Sequence, residues 1–229
     1  MLFRAIKNTI KHQLNRPLHR RKKLLAHFGI TKILDVGANL GQYALELRKI
    51  KYSGEIICFE PIPSVFKTLK HNMKKDSKCN VNNFALGDKN ETKKINIAKN
   101  LASSSFFSRA KHLDEIAKHT EYISEESVEI KVLDSIYDSI CNPNEVVFLK
   151  LDTQGYEKKI LNGAIESLKK IKGIQIELAL KPSYNGAPEY KEIFKIIEDA
   201  GFKLFSIEEG FEDQNSGQLL EIDAIFFKE

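Results

Sequence analysis

The stretch TKILDVGANLGQYAL, residues 31–45, decides the fold of this chain. An apolar run ends there at Asp35, a glycine turn occupies residues 37–41, and an amphipathic helical pattern begins directly after the turn. Strand, glycine turn and helix form a unit that brings the backbone close to a nucleotide, because glycine has no Cβ to block the approach. The free N–H groups at the start of the helix then face the ligand. The stretch therefore predicts a nucleotide-like ligand at the carboxyl end of the first strand.

A second acidic residue supports this prediction. Glu60 ends the next apolar run, EIICF at 55–59, and follows Asp35 by 25 residues. A carboxylate at this second strand end can accept hydrogen bonds from both hydroxyls of a ribose, whereas Asp35 can hold the loop or face a cationic amino-acid tail. An NAD fingerprint that starts at Gly37 would have its third glycine at position 42, where this chain has Gln42 followed by Tyr43. The pattern resembles motifs I and II of the S-adenosylmethionine-dependent methyltransferases more than an NAD site; the alternative is a turn that binds nothing.

Strand-like and helix-like segments alternate along most of the chain, which is typical of an α/β fold with a parallel sheet. The predicted helices lie at 42–49, 64–74 and 189–200, with another ending near residue 172. The predicted strands lie at 32–36, 55–60, 80–85, 93–98, 129–133, 146–151, 174–180, 202–207 and 219–227. The last two strands have no helix between them, which indicates a C-terminal antiparallel hairpin at the sheet edge. We predict a Rossmann-like, doubly wound sheet of about seven strands, with its ligand outside the carboxyl ends.

Residues 101–122 interrupt this alternation. The segment begins with SSSFF at 103–107 and continues into a predicted helical stretch, on which His112 and His119 share one face. Insertions of this kind often lie over a ligand site. A surface excursion without a role, and an ordinary solvent face for the two histidines, are the alternatives.

Length and charge fit one α/β domain preceded by a basic arm. Residues 1–34 contain nine Lys or Arg and no acidic residue, so the remaining 195 residues carry 27 basic and 31 acidic side chains, a balance of −4. We predict a basic helical arm at 1–28 and a ligand-binding domain at 29–229. Because the domain is mildly acidic, a broad nucleic-acid groove is not expected.

The arm has two interpretations. Apolar residues recur every four positions from Leu2 to Leu14, and Pro17 should end this first helix. A basic cluster follows at residues 20–23. The arm either contacts an anionic membrane surface or an acidic partner, or packs its apolar stripe on the domain and leaves a solvated basic face.

The sequence also bears on the compartment. No apolar run approaches the roughly 18 residues of a membrane span, and the N-terminus lacks the apolar region and cleavage site of a secretory signal. The three cysteines, Cys58, Cys79 and Cys141, show neither metal-ligand spacing nor a disulfide framework. We therefore expect a reducing cytoplasm.

Seven segments, taken in order and spacing, resemble the FkbM family of S-adenosylmethionine-dependent methyltransferases. They are DVGANLGQY at 35–43, FEPIPSVF at 59–66, NFALGD at 83–88, SSSFF at 103–107, VLDSI at 132–136, FLKLDTQGYEKKILNGA at 148–164 and IQIEL at 174–178. The resemblance covers about residues 33–227, and LKLDTQGYE with its trailing L-x-G-A is its most specific part. It implies a class I methyltransferase domain at 29–229.

The resemblance implies S-adenosyl-L-methionine as cofactor, and a hydroxyl oxygen of a sugar, glycan or polyketide-like natural product as the methyl acceptor. The methionine part of the cofactor would lie on four residues: Asp35, Gly37, Asn39 and Gly41. Glu60 would hold the ribose, Pro61 and Ile62 would border the adenine, and Asn83 and Ala85 would contribute contacts around the base. One departure stands out, because many relatives have glutamate where this chain has Gln154, which cannot act as a base.

The chemistry adds its own candidates. Methyl transfer is an in-line displacement, so the site must hold the acceptor oxygen about 3 Å from the methyl carbon. The proton of the acceptor hydroxyl must also be removed. Asp152, at a strand end beside the cofactor, is our first candidate base and also a cofactor contact; the alternative is a carboxylate that caps the next helix. Glu177, in the middle of a strand, is the second candidate base; the alternative is a buried glutamate that is paired for structural reasons. No spacing demands a metal ion.

Three other functions remain as alternatives. A non-catalytic cofactor-binding or assembly module could keep the same fold. An NAD-dependent oxidoreductase would want this third glycine just before Tyr43, and a nucleic-acid base methyltransferase would show an Asn/Asp-Pro-Pro-aromatic motif where residues 152–155 read DTQG. We therefore expect a small-molecule or glycan acceptor and no nucleic-acid partner.

Overall fold

The structure is a computed structural model that describes residues 16–229. The helices are α1 Arg16–His27, α2 Gln42–Lys49, α3 Pro63–Met73, α4 Leu113–Ile116, α5 Leu133–Ile140, α6 Glu157–Asn162, α7 Ile165–Lys170 and α8 Tyr190–Asp199, with a 3₁₀ turn at Lys118–Thr120. The predicted apolar repeat from Leu2 to Leu14 lies outside the described residues. Within them, no helix is long and apolar enough to cross a membrane.

The strands form one large sheet and two small ones. They are β1 Lys32–Val36, β2 Glu55–Phe59, β3 Cys79–Asn82, β4 Ala85–Gly87, β5 Glu91–Ala98, β6 Ser108–Arg109, β7 Tyr122–Val132, β8 Val147–Leu151, β9 Ile171–Ala179, β10 Tyr184–Asn185, β11 Lys203–Glu209 and β12 Glu221–Phe227. The large sheet has the order β11-β12-β9-β8-β1-β2-β3. Its strands run parallel except β12, which is antiparallel to both neighbours. The predicted doubly wound sheet of seven strands with a C-terminal hairpin is confirmed.

The central strands are buried along their whole length. Every residue of β1 and β8 is buried, because helices cover both faces of the sheet. Alternate side chains enter different cores: Leu34 packs towards α5–α8, whereas Ile33 packs with α1, α2 and α3. This arrangement carries the carboxyl ends of β1, β2, β8 and β9 to one edge of the sheet.

The segment after β2 differs from the prediction. The predicted strand at 80–85 is two strands, because β3 ends at Asn82 and β4 belongs to a separate sheet of order β4-β7-β5. β7 pairs antiparallel with β5 along its length, so it begins at Tyr122 and not near residue 129. The predicted long helix before residue 172 is also divided, because α6 ends at Asn162 and α7 begins at Ile165.

The predicted helix in the insertion is wrong. Between Leu101 and Glu121 the only helical elements are the single turn α4 and a 3₁₀ turn, which are separated at Ala117, where φ is −143°. Arg109 donates to the Ala117 carbonyl oxygen at 3.3 Å and to the Thr120 hydroxyl at 3.0 Å, and these bonds stabilise the break. His112 and His119 therefore do not share the face of one continuous helix.

Helix α1 packs against the sheet. It begins at Arg16 with Pro17 in its first turn, where proline is tolerated. Leu25 is buried in the core, and Phe28 stacks on Phe227 with 4.0 Å between ring centroids. Lys22 and Lys23 are exposed. The described half of the arm thus matches the interpretation with a packed apolar stripe, and the domain boundary at residue 28 stays a prediction.

Candidate active site

A cavity of about 400 Å³ lies at the carboxyl ends of β1, β2, β8 and β9. Eight of the predicted site residues line it: Gly37, Asn39, Glu60, Pro61, Ile62, Ala85, Asp152 and Glu177. The insertion also contributes to its wall, through Leu101, Ala102, Ser104 and Phe106. The expected position of residues 101–122 beside the ligand site therefore agrees with the structure.

The glycine turn joins β1 to the end of β8. Gly37 has φ +77°, and a Cβ there would lie 1.8 Å from the backbone oxygen of Asp152. Asn39 also has a positive φ, +48°. The turn can take this tight path only because Gly37 has no side chain, and the path brings Asp152 next to the turn.

Glu60 is fixed by backbone groups on both sides. Its Oε2 accepts a hydrogen bond from the Asn39 N–H at 3.0 Å, and its Oε1 accepts one from the Ile62 N–H at 2.9 Å. The residue is only 4% exposed, and this burial raises the pKa of Glu60 to about 7, although the two backbone hydrogen bonds oppose the rise. Each oxygen keeps a second lone pair that can accept a ligand hydroxyl.

An apolar slot lies beside Glu60. Ile62, Ala85, Leu86 and Ile95 line this part of the cavity, and all four are buried. They come from the turn after β2 and from the small sheet of β4 and β5. A flat apolar ring attached to a polar sugar fits such a slot.

Lys150 lies under the cavity and connects two predicted carboxylates. Its Nζ is 3.2 Å from Asp35 Oδ1, 3.4 Å from Asp152 Oδ2 and 3.4 Å from the Gly37 carbonyl oxygen. Burial alone would lower the pKa of Lys150, but the charges of Asp35 and Asp152 outweigh burial and raise it. The lysine is therefore a buried cation that is paired with two carboxylates.

Three predicted cofactor residues do not lie on the cavity wall. Asp35 is fully buried beneath it, because its carboxylate turns towards Lys150. Gly41 packs against α3, where a Cβ would lie 2.9 Å from Met73 Cε. Asn83 donates to the carbonyl oxygens of Glu60 and Pro61 at 3.0 and 2.9 Å. These three residues shape the turns around the cavity, and their predicted direct contacts with the cofactor stay predictions.

The two predicted catalytic carboxylates meet at Gln154. Its Nε2 donates to Asp152 Oδ1 at 3.2 Å and to Glu177 Oε2 at 2.8 Å. Burial, and then the nearby charge of Asp152, raises the pKa of Glu177 well above its ordinary value. Gln154 itself has φ +55°, a conformation that costs about 1–2 kcal/mol for a non-glycine residue.

Neighbouring side chains hold this strained turn. Glu157 Oε1 accepts hydrogen bonds from the Thr153 N–H at 2.8 Å and the Thr153 hydroxyl at 2.9 Å. The Ser105 hydroxyl donates to the Gln154 carbonyl oxygen at 2.7 Å. The serine-rich segment of the insertion therefore fixes the residue that bridges the two carboxylates.

Several polar residues of the wall were not predicted from the sequence. Tyr43 donates to Gln175 Oε1 at 2.9 Å, and Gln175 Nε2 donates to Asp223 Oδ1 at 3.2 Å. Lys150 and Gln175 interrupt the apolar strands VVFLKL and IQIEL, and a polar residue in a strand buried on both faces was the available signal. Arg21 and Asp223 gave no such signal, because α1 and β12 reach the cavity only through the fold. Across residues 16–229, no three acidic, histidine or cysteine side chains are placed to hold a metal ion.

Comparisons with known proteins agree with this arrangement. A family model described as "Methyltransferase FkbM domain" matches residues 35–204. "Methyltransferase 1" of Beauveria bassiana is 26% identical over 142 residues, which are 57% of this chain and 57% of that protein. The chain thus spans little more than half the length of this curated relative.

Two solved structures are similar to this chain. One, from Listeria monocytogenes, is described as an S-adenosylmethionine-dependent methyltransferase, with a TM-score of 0.50, 10% identity, and coverage of 92% of this chain and 97% of that chain. Another, Aeropyrum pernix fibrillarin with natively bound S-adenosyl-L-methionine, has a TM-score of 0.48, 9% identity, and coverage of 86% and 66%. Identities this low bear on the fold alone.

Proposed function

This chain belongs to the FkbM methyltransferase family and uses S-adenosyl-L-methionine, and we propose that it transfers the cofactor's methyl group to a hydroxyl oxygen of a sugar-like or natural-product-like acceptor. The observation that carries the proposal is the bridge of Gln154 between Asp152 and Glu177, on the wall of the same cavity as Glu60. One side of the cavity suits a nucleoside, and the other offers carboxylates to a hydroxyl.

The residues present suit the cofactor. Glu60 holds each of its oxygens on one backbone N–H group and keeps lone pairs for the two ribose hydroxyls. The slot of Ile62, Ala85 and Leu86 would hold the adenine, and the glycine turn and Asp152 would lie on the side of the methionine part. When bound, the cofactor supplies a methyl group on a positively charged sulfur.

Asp152 takes the acceptor's proton in this proposal. Its side chain is 38% exposed and lies on the cavity wall, and Lys150 and Gln154 fix its orientation. With the cofactor bound, its sulfonium would supply the methyl group to the acceptor oxygen with S-adenosylhomocysteine as the leaving group, and the Asp152 carboxylate would accept the hydroxyl proton. Glu177 shares the Gln154 amide with Asp152, and so supports the same hydrogen-bond network.

The acceptor side has the composition of a carbohydrate site. Phe106 lines the cavity together with Asp152, Gln154 and Glu177, and its ring packs on the buried Tyr156 ring with 4.5 Å between centroids. A sugar ring presents an apolar face that packs on aromatic rings and a polar edge that binds carboxylates and amides. This pairing supports a polyhydroxylated acceptor.

Replacing Asp152 tests the proposed base. We expect Asp152→Asn to lower turnover by about 10²- to 10⁴-fold, because an amide cannot accept the proton. Methyl transfer from isotopically labelled cofactor measures the rate. Asp138→Asn, at an exposed position on α5, is the matched control and should keep full activity. Turnover within a few-fold of the unmodified chain would exclude Asp152 as the base.

The position of the transferred methyl group tests the acceptor chemistry. Incubation with ¹³C-methyl cofactor and a panel of sugars, polyols, amines and thiols should give a methoxy signal by NMR. A product with the methyl group on nitrogen or sulfur would contradict the hydroxyl assignment. Cofactor binding without transfer to any acceptor would favour a non-catalytic module.

A further inference from the structure

Two cations line the cavity among the described residues, Arg21 and Lys150. Lys150 forms ion pairs with Asp35 and Asp152 and donates a hydrogen bond to the Gly37 carbonyl oxygen. An additional anion at Lys150 would therefore compete with two carboxylates. Arg21 is the cation with donors to spare.

Arg21 comes from α1 and is only 6% exposed. Its Nη2 pairs with Glu208, and its guanidinium lies over the Tyr43 ring, 4.9 Å from the centroid. Its Nε and Nη1 are buried and have no hydrogen-bond partner. Buried donors without acceptors are costly, so a ligand that supplied acceptors here would remove that cost.

Glu46 stands next to these unsatisfied donors. Its Oε2 lies 3.5 Å from Arg21 Nη1 without forming a hydrogen bond, and its side chain is 42% exposed on the cavity wall. Because α2 presents Glu46 to solvent, its carboxylate can turn away without being buried elsewhere. The carboxylate thus lies close to where a ligand carboxylate would sit.

We propose that Arg21 binds the α-carboxylate of the cofactor's methionine part through Nε and Nη1, and that Glu46 moves aside. With the ribose on Glu60, the amino-acid part lies towards the glycine turn and Tyr43. Asp152, Glu177 and Asp223 make the rest of this wall acidic, which suits the sulfonium and the ammonium and leaves the carboxylate in need of a cation. The inference concerns the cofactor, so it does not depend on which acceptor is methylated.

Calorimetric affinities for S-adenosylhomocysteine and for its decarboxylated analogue test the proposal. Arg21→Met should weaken the binding of S-adenosylhomocysteine by about 10- to 100-fold, because charge-assisted hydrogen bonds are lost. The analogue should keep its affinity within about twofold, because it lacks the carboxylate that Arg21 binds. Glu46→Gln should tighten the binding of S-adenosylhomocysteine by about two- to fivefold, because the weak competing ion pair between Glu46 and Arg21 is removed.

Two further variants keep the test decisive. Arg20→Met, on the exposed side of the same helix, should leave both affinities unchanged. Arg21→Met leaves Glu208 buried without its partner, so the double variant with Glu208→Gln is measured as well and should show the same loss. The proposal would be overturned if Arg21→Met lowered the affinity for both ligands equally, or for neither. It would also be overturned if Glu46→Gln bound S-adenosylhomocysteine more weakly, or if Arg21→Met changed only the KM for the acceptor.

Discussion

At the scale of single residues, two opposing effects act on the pKa of Glu60. Backbone N–H groups of Asn39 and Ile62 hold both carboxylate oxygens and favour the ionised form. Burial disfavours that form, and the balance raises the pKa of Glu60 to about 7. This carboxylate, which would hold the ribose in the proposed function, therefore titrates near neutral pH in the folded chain.

This titration predicts pH-dependent cofactor binding. Two ribose hydroxyls donate best to a carboxylate, so we expect affinity for S-adenosylhomocysteine to rise from pH 6 to pH 8 and then level off. The stability of the ligand-free chain depends on pH in the opposite direction. The pKa of Glu60 in the folded chain lies above its ordinary value of 4.5. Glu60 therefore stabilises the fold below pH 4.5, and this contribution is lost as the pH rises through about 7.

Glu60→Gln is the control for the pH series, because an amide of the same shape does not titrate in this range. Calorimetry across the same pH values should give a nearly flat affinity for this variant. A slope unchanged from that of the unmodified chain would assign the pH dependence to another carboxyl group, such as Glu221, whose pKa burial also raises to about 7.

Single residues also mark the limit of sequence reasoning. Asp35, Glu60 and Asp152 could be predicted because they follow apolar runs at strand ends. Whether each of them faces the cavity could not be predicted. Asp35 turns to Lys150 on the paired strand β8, and a sequence does not show which cation a buried acid will pair with. The same applies to Arg21, which reaches the cavity from a helix that precedes the nucleotide motif.

At the scale of elements, the strand–turn–helix unit of β1 and α2 depends on contact with β8. Gly37 touches the backbone of Asp152 so closely that a Cβ would lie 1.8 Å from its carbonyl oxygen. The glycine therefore serves two purposes: it takes a positive φ, and it lets two parallel strand ends converge at the cavity.

A pair of glycine variants separates these two purposes. Gly29 has φ +63° but no atom within 4 Å of the point where a Cβ would lie, whereas Gly37 has φ +77° and the severe contact with Asp152. Gly29→Ala should cost only the conformational penalty of about 1–2 kcal/mol. Gly37→Ala should destabilise by about 2 kcal/mol more, because β1 and β8 must separate, and cofactor binding should be lost.

Chemical denaturation with urea measures the free energy of unfolding of both variants. Equal losses would show that the contact with Asp152 relaxes easily, and that the turn matters only for its φ. Retained binding of S-adenosylhomocysteine by Gly37→Ala would likewise contradict the close approach.

Elements were predicted best where periodicity was strong. β1 and α2 have the predicted bounds, because an apolar run, a glycine turn and an amphipathic repeat follow one another directly. The insertion failed, because its helical pattern is overridden by pairing of β6 with β10 and by the Arg109 hydrogen bonds. Tertiary pairing of this kind joins residues about 75 positions apart, and no local pattern shows it.

At the scale of the whole molecule, the fold assembles one acidic wall from separate strands. Asp152 follows β8, Glu177 lies on β9, and Asp223 lies opposite Glu177 on the antiparallel β12. The C-terminal hairpin is thus more than an edge of the sheet, because β12 carries a carboxylate into the cavity. The sequence predicted the hairpin, but its insertion beside β9, and hence the position of Asp223, required the three-dimensional order of the strands.

In the proposed function, Glu60 and Asp152 mark the two ends of one cavity, the first for cofactor binding and the second for chemistry. The affinity of S-adenosylhomocysteine for the unmodified chain, Glu60→Ala and Asp152→Asn, measured side by side by calorimetry, tests this division most directly. We predict a loss of about 1–3 kcal/mol for Glu60→Ala and a change below about 0.7 kcal/mol, or threefold, for Asp152→Asn. Unchanged binding by Glu60→Ala, or an equal loss in both variants, would contradict it.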